Sequence, residues 1–178
     1  MTMAHLVSGE LDPSPISERW ILVLGGVTRQ GHRRASRAAA TALASGLDVV
    51  WFDGYDETEE GFPREFPSAG KDEGGHLVTV DFAEAESHTV SGRLRDGGRL
   101  KASPMGRWVW KQLLRRIGSL LRPRACWATI RSDIRILSDR RTPDAIVYTD
   151  PVAITSAWYA ARIWTGVSVS TAAPGGYE

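Results

Sequence analysis

The sequence predicts an α/β domain in which a parallel sheet carries helices on both faces. Two observations predict it. Short, continuous apolar runs that read as buried strands alternate with segments of helical periodicity, as in a chain built from β-α units. Each run also stops abruptly in a turn signal: "WILVL" at Gly25-Gly26, "DVVWF" at Asp53-Gly54, "AIVY" at Thr149-Asp150-Pro151. At 178 residues the chain is long enough for one domain with a substantial core.

Residues 1–18 carry no periodic pattern and read as a loose arm, leaving 19–178 as the domain. Trp20–Leu24 is the first strand expected. Residues 33–45 follow as a helix, with Ala35, Ala38, Ala39, Ala42 and Leu43 at helical spacing. An apolar face made of alanine lets a helix lie close against a sheet, and Gly46 is placed to cap its end. Asp48–Phe52 is the second strand. The acidic, Gly- and Pro-rich stretch 54–75 reads as a surface loop, and "HLVTVDF", 76–82, as the third strand.

Residues 90–102 read as a further loop. Ser103-Pro104 marks a helix start, with a capping side chain followed by proline, and that helix should run to about Leu121. A second helix is expected over 126–138. Ala145–Tyr148 is the next strand, and Asp150-Pro151 repeats the cap-plus-proline signal. The helix it opens should extend to about Trp164 and bury Ile154, Ala157, Trp158, Ala161 and Trp164. Gly166 ends it, and "VSVST", 167–171, is the last strand. Right-handed crossovers between such strands give a Rossmann-like parallel sheet.

In an open sheet of this kind ligands bind beyond the carboxyl ends of the strands, where the chain order reverses. Two loops are built for that place. The first runs from Gly25-Gly26 to Gly31-His32. Its glycines admit close backbone approach, and the helix behind it offers free N–H groups and a positive dipole end. Arg29, His32, Arg33 and Arg34 add positive charge. The second is Thr149-Asp150-Pro151. A dinucleotide fingerprint nearly fits, because Asp53 ends the second strand where an acid would take a ribose hydroxyl. The glycine spacing fails, since G-x-G-x-x-G needs glycine at the position of Val27. A nucleotide- or NAD-binding domain therefore stands as the alternative.

"ILVLGGVTRQGHRRASRAAATALASGLDVVWFDG" and "PDAIVYTDPVAITSAWYAARIWTGVSVST" together resemble the N-terminal Rossmann-like domain of GT-B-fold glycosyltransferases, particularly the retaining group called family four. The resemblance implies transfer of a sugar from a nucleotide-sugar donor, used as substrate with no cofactor and no metal, to an acceptor. It implies acceptor-side binding through Gly25, Gly26, Arg29, Gly31, His32 and Thr149, with Asp150 as the catalytic polar group. Two features depart from the family pattern. Thr149 stands where many members carry a histidine, and nothing after residue 171 supplies the second domain, with its pair of glutamates, that holds the donor. The chain thus reads as the front part of a longer protein, needing a C-terminal domain or partner chain and inactive alone.

Charge is balanced in total, 22 basic against 21 acidic residues, but not in distribution. Among the charged residues of 53–86 acids dominate, with only Arg64 and Lys71 opposing them, whereas 97–132 contain no acid at all. Such asymmetry points to a polyanionic partner. In "MGRWVWKQLLRRIGSLL" an apolar stripe runs beside a basic one, and Trp108, Trp110, Lys111, Arg115 and Arg116 make it a candidate for an anionic membrane surface. A helix packed on the sheet with a wet basic face is the alternative, and a non-catalytic membrane- or protein-interaction module is the corresponding function. Nucleic acid is not expected, because the basic residues accompany long aliphatics rather than aromatic platforms. With one cysteine, no secretory signal and no apolar run of bilayer length, the expected location is cytoplasmic, peripheral at the inner face of the plasma membrane.

Overall fold

The computed structural model describes residues 5–6, 16–25, 28–55, 63–67, 75–81, 123–124, 126–139 and 142–173. Six strands form one sheet: β1 (His5–Leu6), β2 (Trp20–Leu24), β3 (Asp48–Asp53), β4 (Leu77–Asp81), β5 (Ala145–Tyr148) and β6 (Ser168–Ser170). Every pairing is parallel and the spatial order is β1-β4-β3-β2-β5-β6. From β2 the chain steps outward to β3 and β4, then returns to the other side of β2 for β5 and β6. The order therefore reverses between β2 and β5. This is the Rossmann-like arrangement expected from the alternation of apolar runs and helices.

The pleat sorts the side chains of β2 onto two cores. Ile21 and Val23 face helix α1 (Arg29–Ala44), whose buried stripe is Ala35, Ala38, Ala39, Ala42 and Leu43. Trp20, Leu22 and Leu24 face the opposite layer, formed by α2 (126–138) and α3 (Ile154–Ile163). Both faces of β2 and β3 are thus covered, which is why β2 and the interior of β3, Val49–Phe52, are apolar without interruption. Cys126 is buried in the second core beside Ser156, as a packing residue. Among the described residues no helix is long and apolar enough to cross a membrane.

Four expectations shift. The segment read as a loose arm contributes β1, paired with Val78 and Thr79, and its end is fixed where the Ser17 N–H donates to the buried carboxylate of Asp48. Asp48 also accepts from the His76 N–H at 2.6 Å, so one carboxylate pins two chain entries at the amino end of the sheet. Helix α1 begins at Arg29, not at residue 33, because Thr28 caps it by accepting from the Gly31 N–H. After Asp150 the chain first makes a 3₁₀ turn, Pro151–Ala153, before α3. Finally, α3 turns Ser156, Ala157 and Ala160 inward and leaves Ile154 and Trp158 outside, 48% and 52% exposed. The small residues Ser156, Ala157 and Ala160 let α3 approach the sheet closely. The expected helix at 104–121 lies outside the described residues.

Candidate functional site

The reversal of strand order brings the two glycine- and aspartate-bearing loops to the same sheet edge. Gly25 follows β2 and Thr149 follows β5, and the Thr149 N–H donates to Leu24 O at 3.1 Å, extending the pairing of the two strands by one bond. Gly25 has φ +142°, and a Cβ there would lie 2.3 Å from Thr149 Oγ1. Only glycine satisfies both conditions. Thr149 Oγ1 is buried at this junction and makes no hydrogen bond among the described residues. Gly26 lies outside the described residues.

One hydrogen bond joins the loops, and a capping bond within each loop braces it. Thr28 Oγ1 accepts from the Gly31 N–H at 3.0 Å and donates to Asp150 Oδ2 at 2.9 Å, while Asp150 Oδ1 accepts from the Val152 N–H at 3.0 Å. Asp150 is therefore the cap of its own 3₁₀ turn and an anionic anchor for the amino end of α1. A negative group between two helix amino termini is electrostatically favoured by both dipoles. Gly31 is needed for this approach, because a Cβ there would sit 2.8 Å from Asp150 Oδ2. Asp150 is buried with both oxygens engaged, so it positions the two loops instead of standing free at a reacting bond.

His32, expected to face a ligand, is 2% exposed in the first turn of α1. Its Nε2 accepts from the Glu65 N–H at 3.0 Å. A nitrogen that accepts carries no proton, so the neutral ring has its proton on Nδ1, which lies 3.2 Å from the Asp53 carboxylate. The ring stacks on Tyr55 and meets Trp51 and Phe66, with centroids 5.0, 5.0 and 5.8 Å away. Asp53, wholly buried at the end of β3, also accepts from the Tyr55 N–H, and its Oδ2 is 3.9 Å from Arg64 Nε. Arg64 spans from Asp53 to Asp81, the residue paired with Asp53 on β4, and to Tyr55 O. Burial raises the Asp53 carboxyl above its usual range, and His32, Arg64 and the Tyr55 N–H only partly offset this. The acid suited by position to a ribose hydroxyl is thus already committed within the fold.

The segment 63–67 consequently lies over the carboxyl ends of β3 and β4. A shallow depression opens beside it, lined by Arg29, His32, Arg33, Tyr55, Pro63 and Glu65. Of the residues singled out in the sequence, Gly25, Arg29, Gly31, His32, Thr149 and Asp150 gather at this edge. Trp108, Trp110, Lys111, Arg115 and Arg116 lie outside the described residues. Sequence reading missed Thr28, although a threonine three residues before Gly31 and ahead of an alanine-rich run is a capping signal. It also missed the alliance of Asp53 with His32 and Arg64, which no local pattern announces.

Chemically, the described part of the crevice offers shape, hydrogen bonding and positive charge. Its histidine and aspartates are each occupied within the fold, so it is suited to holding and orienting a ligand more than to moving a proton. Among the described residues no group of three or more His, Cys, Asp or Glu side chains could hold a metal ion. No family model, curated protein or solved structure matches this chain.

Proposed function

We propose that the chain is the acceptor-side domain of a GT-B-type glycosyltransferase, which holds an acceptor while a sugar is transferred to it from a nucleotide-sugar donor. The observation that carries this reading is the meeting of the two resembling segments. Residues 20–54 and 143–171 are far apart in sequence, yet their loops are tied together by the Thr28–Asp150 hydrogen bond at the reversal of strand order. That edge is where open α/β sheets bind ligands. In a retaining transferase the protein mainly orients two substrates and stabilises charge on the departing diphosphate. A crevice whose ionisable groups are engaged structurally is compatible with that division of labour.

On this reading Gly25, Gly26, Arg29, Gly31 and Thr149 shape the acceptor site, and Asp150 fixes its geometry. The donor is held by a second domain or partner chain, and no cofactor is used. The enzyme works at the cytoplasmic face of an anionic membrane, which the basic segment 104–121 approaches through Trp108, Trp110, Lys111, Arg115 and Arg116. The dinucleotide alternative is disfavoured by one specific contact, since Asp53 is already bonded to His32 and Tyr55.

Two titrations of the isotopically labelled chain test the proposal. A panel of monosaccharides and polyols should shift the amide signals of Gly25, Arg29–His32 and Thr149–Val152 by NMR. UDP-glucose and GDP-mannose should bind weakly and undergo no transfer. Micromolar binding of either nucleotide sugar would refute the assignment of the donor to another domain. Micromolar NAD binding that perturbs the Gly25 loop would establish the dinucleotide reading instead.

A further inference from the structure

The outer layer made by α2 and α3 combines exposed apolar and aromatic side chains with an excess of arginine. On α3 the inward residues are Ser156, Ala157 and Ala160, and the opposite row, at i, i+4 and i+8, is Ile154, Trp158 and Arg162. Ile154 and Trp158 are about half exposed, at 48% and 52%. Large apolar groups gathered on one outward row, where the amphipathic pattern calls for polar ones, mark an interaction surface. On α2 the inward row is Cys126, Ile130, Ile134 and Leu137, which leaves Arg131 and Arg135 on the outer side, with the exposed Arg124 just ahead of residue 126. The two helices are joined by Trp127 stacked on Tyr159, with centroids 4.9 Å apart, so their outer faces form one surface.

Charge on this surface is one-sided. Arg124, Arg131, Arg135 and Arg162 are exposed, whereas the acids of the same segment are the exposed Asp139 and the partly buried Asp133. None of the four arginines is in an ion pair with a described acid; Arg162 lies 4.8 Å above the Trp158 ring instead. One face of each ring is already covered, Trp158 by Arg162 and Tyr159 by Trp127, and the two rings also meet edge to face. Bases of a single-stranded nucleic acid would need such a face free for stacking. What remains available is apolar bulk at ring edges and an isoleucine, surrounded by cations whose aliphatic stems can lie along them.

We infer that the α2/α3 outer layer is a docking surface for an anionic lipid bilayer, with Trp158 and Ile154 entering the headgroup region and the arginines pairing with lipid phosphates. The combination of partly inserted aromatic and aliphatic groups with peripheral positive charge is that of interfacial membrane binding. This surface is built from residues other than those of the acceptor crevice, and the inference stands without the glycosyl-transfer reading.

Flotation of the full chain with vesicles of phosphatidylcholine alone, and of phosphatidylcholine with phosphatidylglycerol, tests it. Binding should require the anionic lipid and fall as salt rises. Each positive charge near such a surface is worth about a fivefold change in partition, so the Arg131→Glu, Arg135→Glu, Arg162→Glu variant should lose on the order of a hundredfold or more. These residues are at the surface, and circular dichroism verifies that the variant is folded. Brominated lipid should quench the tryptophan emission of the native chain, and Trp158→Phe should remove a measurable part of the quench. The Lys111→Glu, Arg115→Glu variant measures the share of segment 104–121 separately, and loss of binding in it with none in the triple variant overturns the inference. Undiminished binding of the triple variant overturns the inference, as does failure of the native chain to bind anionic vesicles. Binding of a single-stranded oligonucleotide with quenching of Trp158 would overturn it in favour of nucleic acid.

Discussion

The hydroxyl of Thr28 donates to the carboxylate of Asp150 across 2.9 Å, joining two residues 122 positions apart in sequence. Each caps a helical segment, Thr28 that of α1 and Asp150 the 3₁₀ turn before α3. One carboxylate therefore fixes the relative height of two helix amino termini on opposite faces of the sheet. Their energies should be coupled. A double-mutant cycle with Thr28→Ala and Asp150→Ala, followed by urea denaturation, should give an interaction energy of about 1–2 kcal/mol. Additive single-variant losses would mean that the two caps act separately.

Gly31→Ala should reverse the ordinary rule for helices. Alanine is favoured over glycine in a helix by about 1 kcal/mol. Here the new Cβ would meet Asp150 Oδ2 at 2.8 Å, Thr28 Oγ1 at 3.1 Å and Asp150 Cβ at 3.2 Å. We expect net destabilisation of about 1–3 kcal/mol, the range for overpacking in a filled site. A rise in melting temperature would show that the two loops can separate at little cost.

His32→Phe keeps an aromatic ring between Tyr55, Trp51 and Phe66 but removes both polar partners. It leaves the Glu65 N–H and one side of a buried carboxylate without their bonds. The expected loss is about 2–4 kcal/mol by chemical denaturation. Hydrogen exchange supplies a second reading, because the Glu65 amide should lose its protection in the variant while the β2 and β3 amides keep theirs.

Asp53 makes a pH-dependent contribution whose sign follows from its environment. Burial raises its carboxyl in the folded state above the ordinary aspartate value. The folded protein therefore holds this proton to higher pH than the unfolded chain does. Its contribution to stability is fully present below the unfolded value and is lost as pH rises through the folded one. Asp133, also raised by burial, acts with the same sign, so the informative comparison is between the native chain and Asp53→Asn. The native chain should lose more stability than this variant as pH rises from about 4 toward neutrality. Parallel curves would place the ionisation of Asp53 in a compensated environment.

Much of the fold was legible because burial on both faces writes itself as uninterrupted apolar sequence. Trp20–Leu24, Asp48–Asp53 and Ala145–Tyr148 are strands close to where their residues predict them. The alanine stripe of α1 lies on the sheet as its spacing requires. The gathering of Gly25 with Thr149 and Asp150 was legible too, since strand ends followed by capping residues share one edge of any parallel sheet. Less legible was α3. Its Trp158 and Ile154 are bulkier apolar cues than Ser156, Ala157 and Ala160, yet a helix lying close to a sheet needs small residues at the contact.

The sequence by itself determined the strands β2 to β6, the alanine contact face of α1, and which loops meet at the carboxyl edge. Those properties follow from local periodicity and from the hydrophobic effect acting on each element. Only the tertiary structure decided the state of the polar residues. His32 and Asp53 look equally available in sequence, but 21 positions of chain fold back to set them 3.2 Å apart, and residues 63–67 then close over both. Whether a titratable side chain meets solvent, a ligand or another side chain depends on contacts between elements distant in sequence. A buried polar group is tolerated only with partners, and those partners come from wherever the fold brings donors and acceptors together.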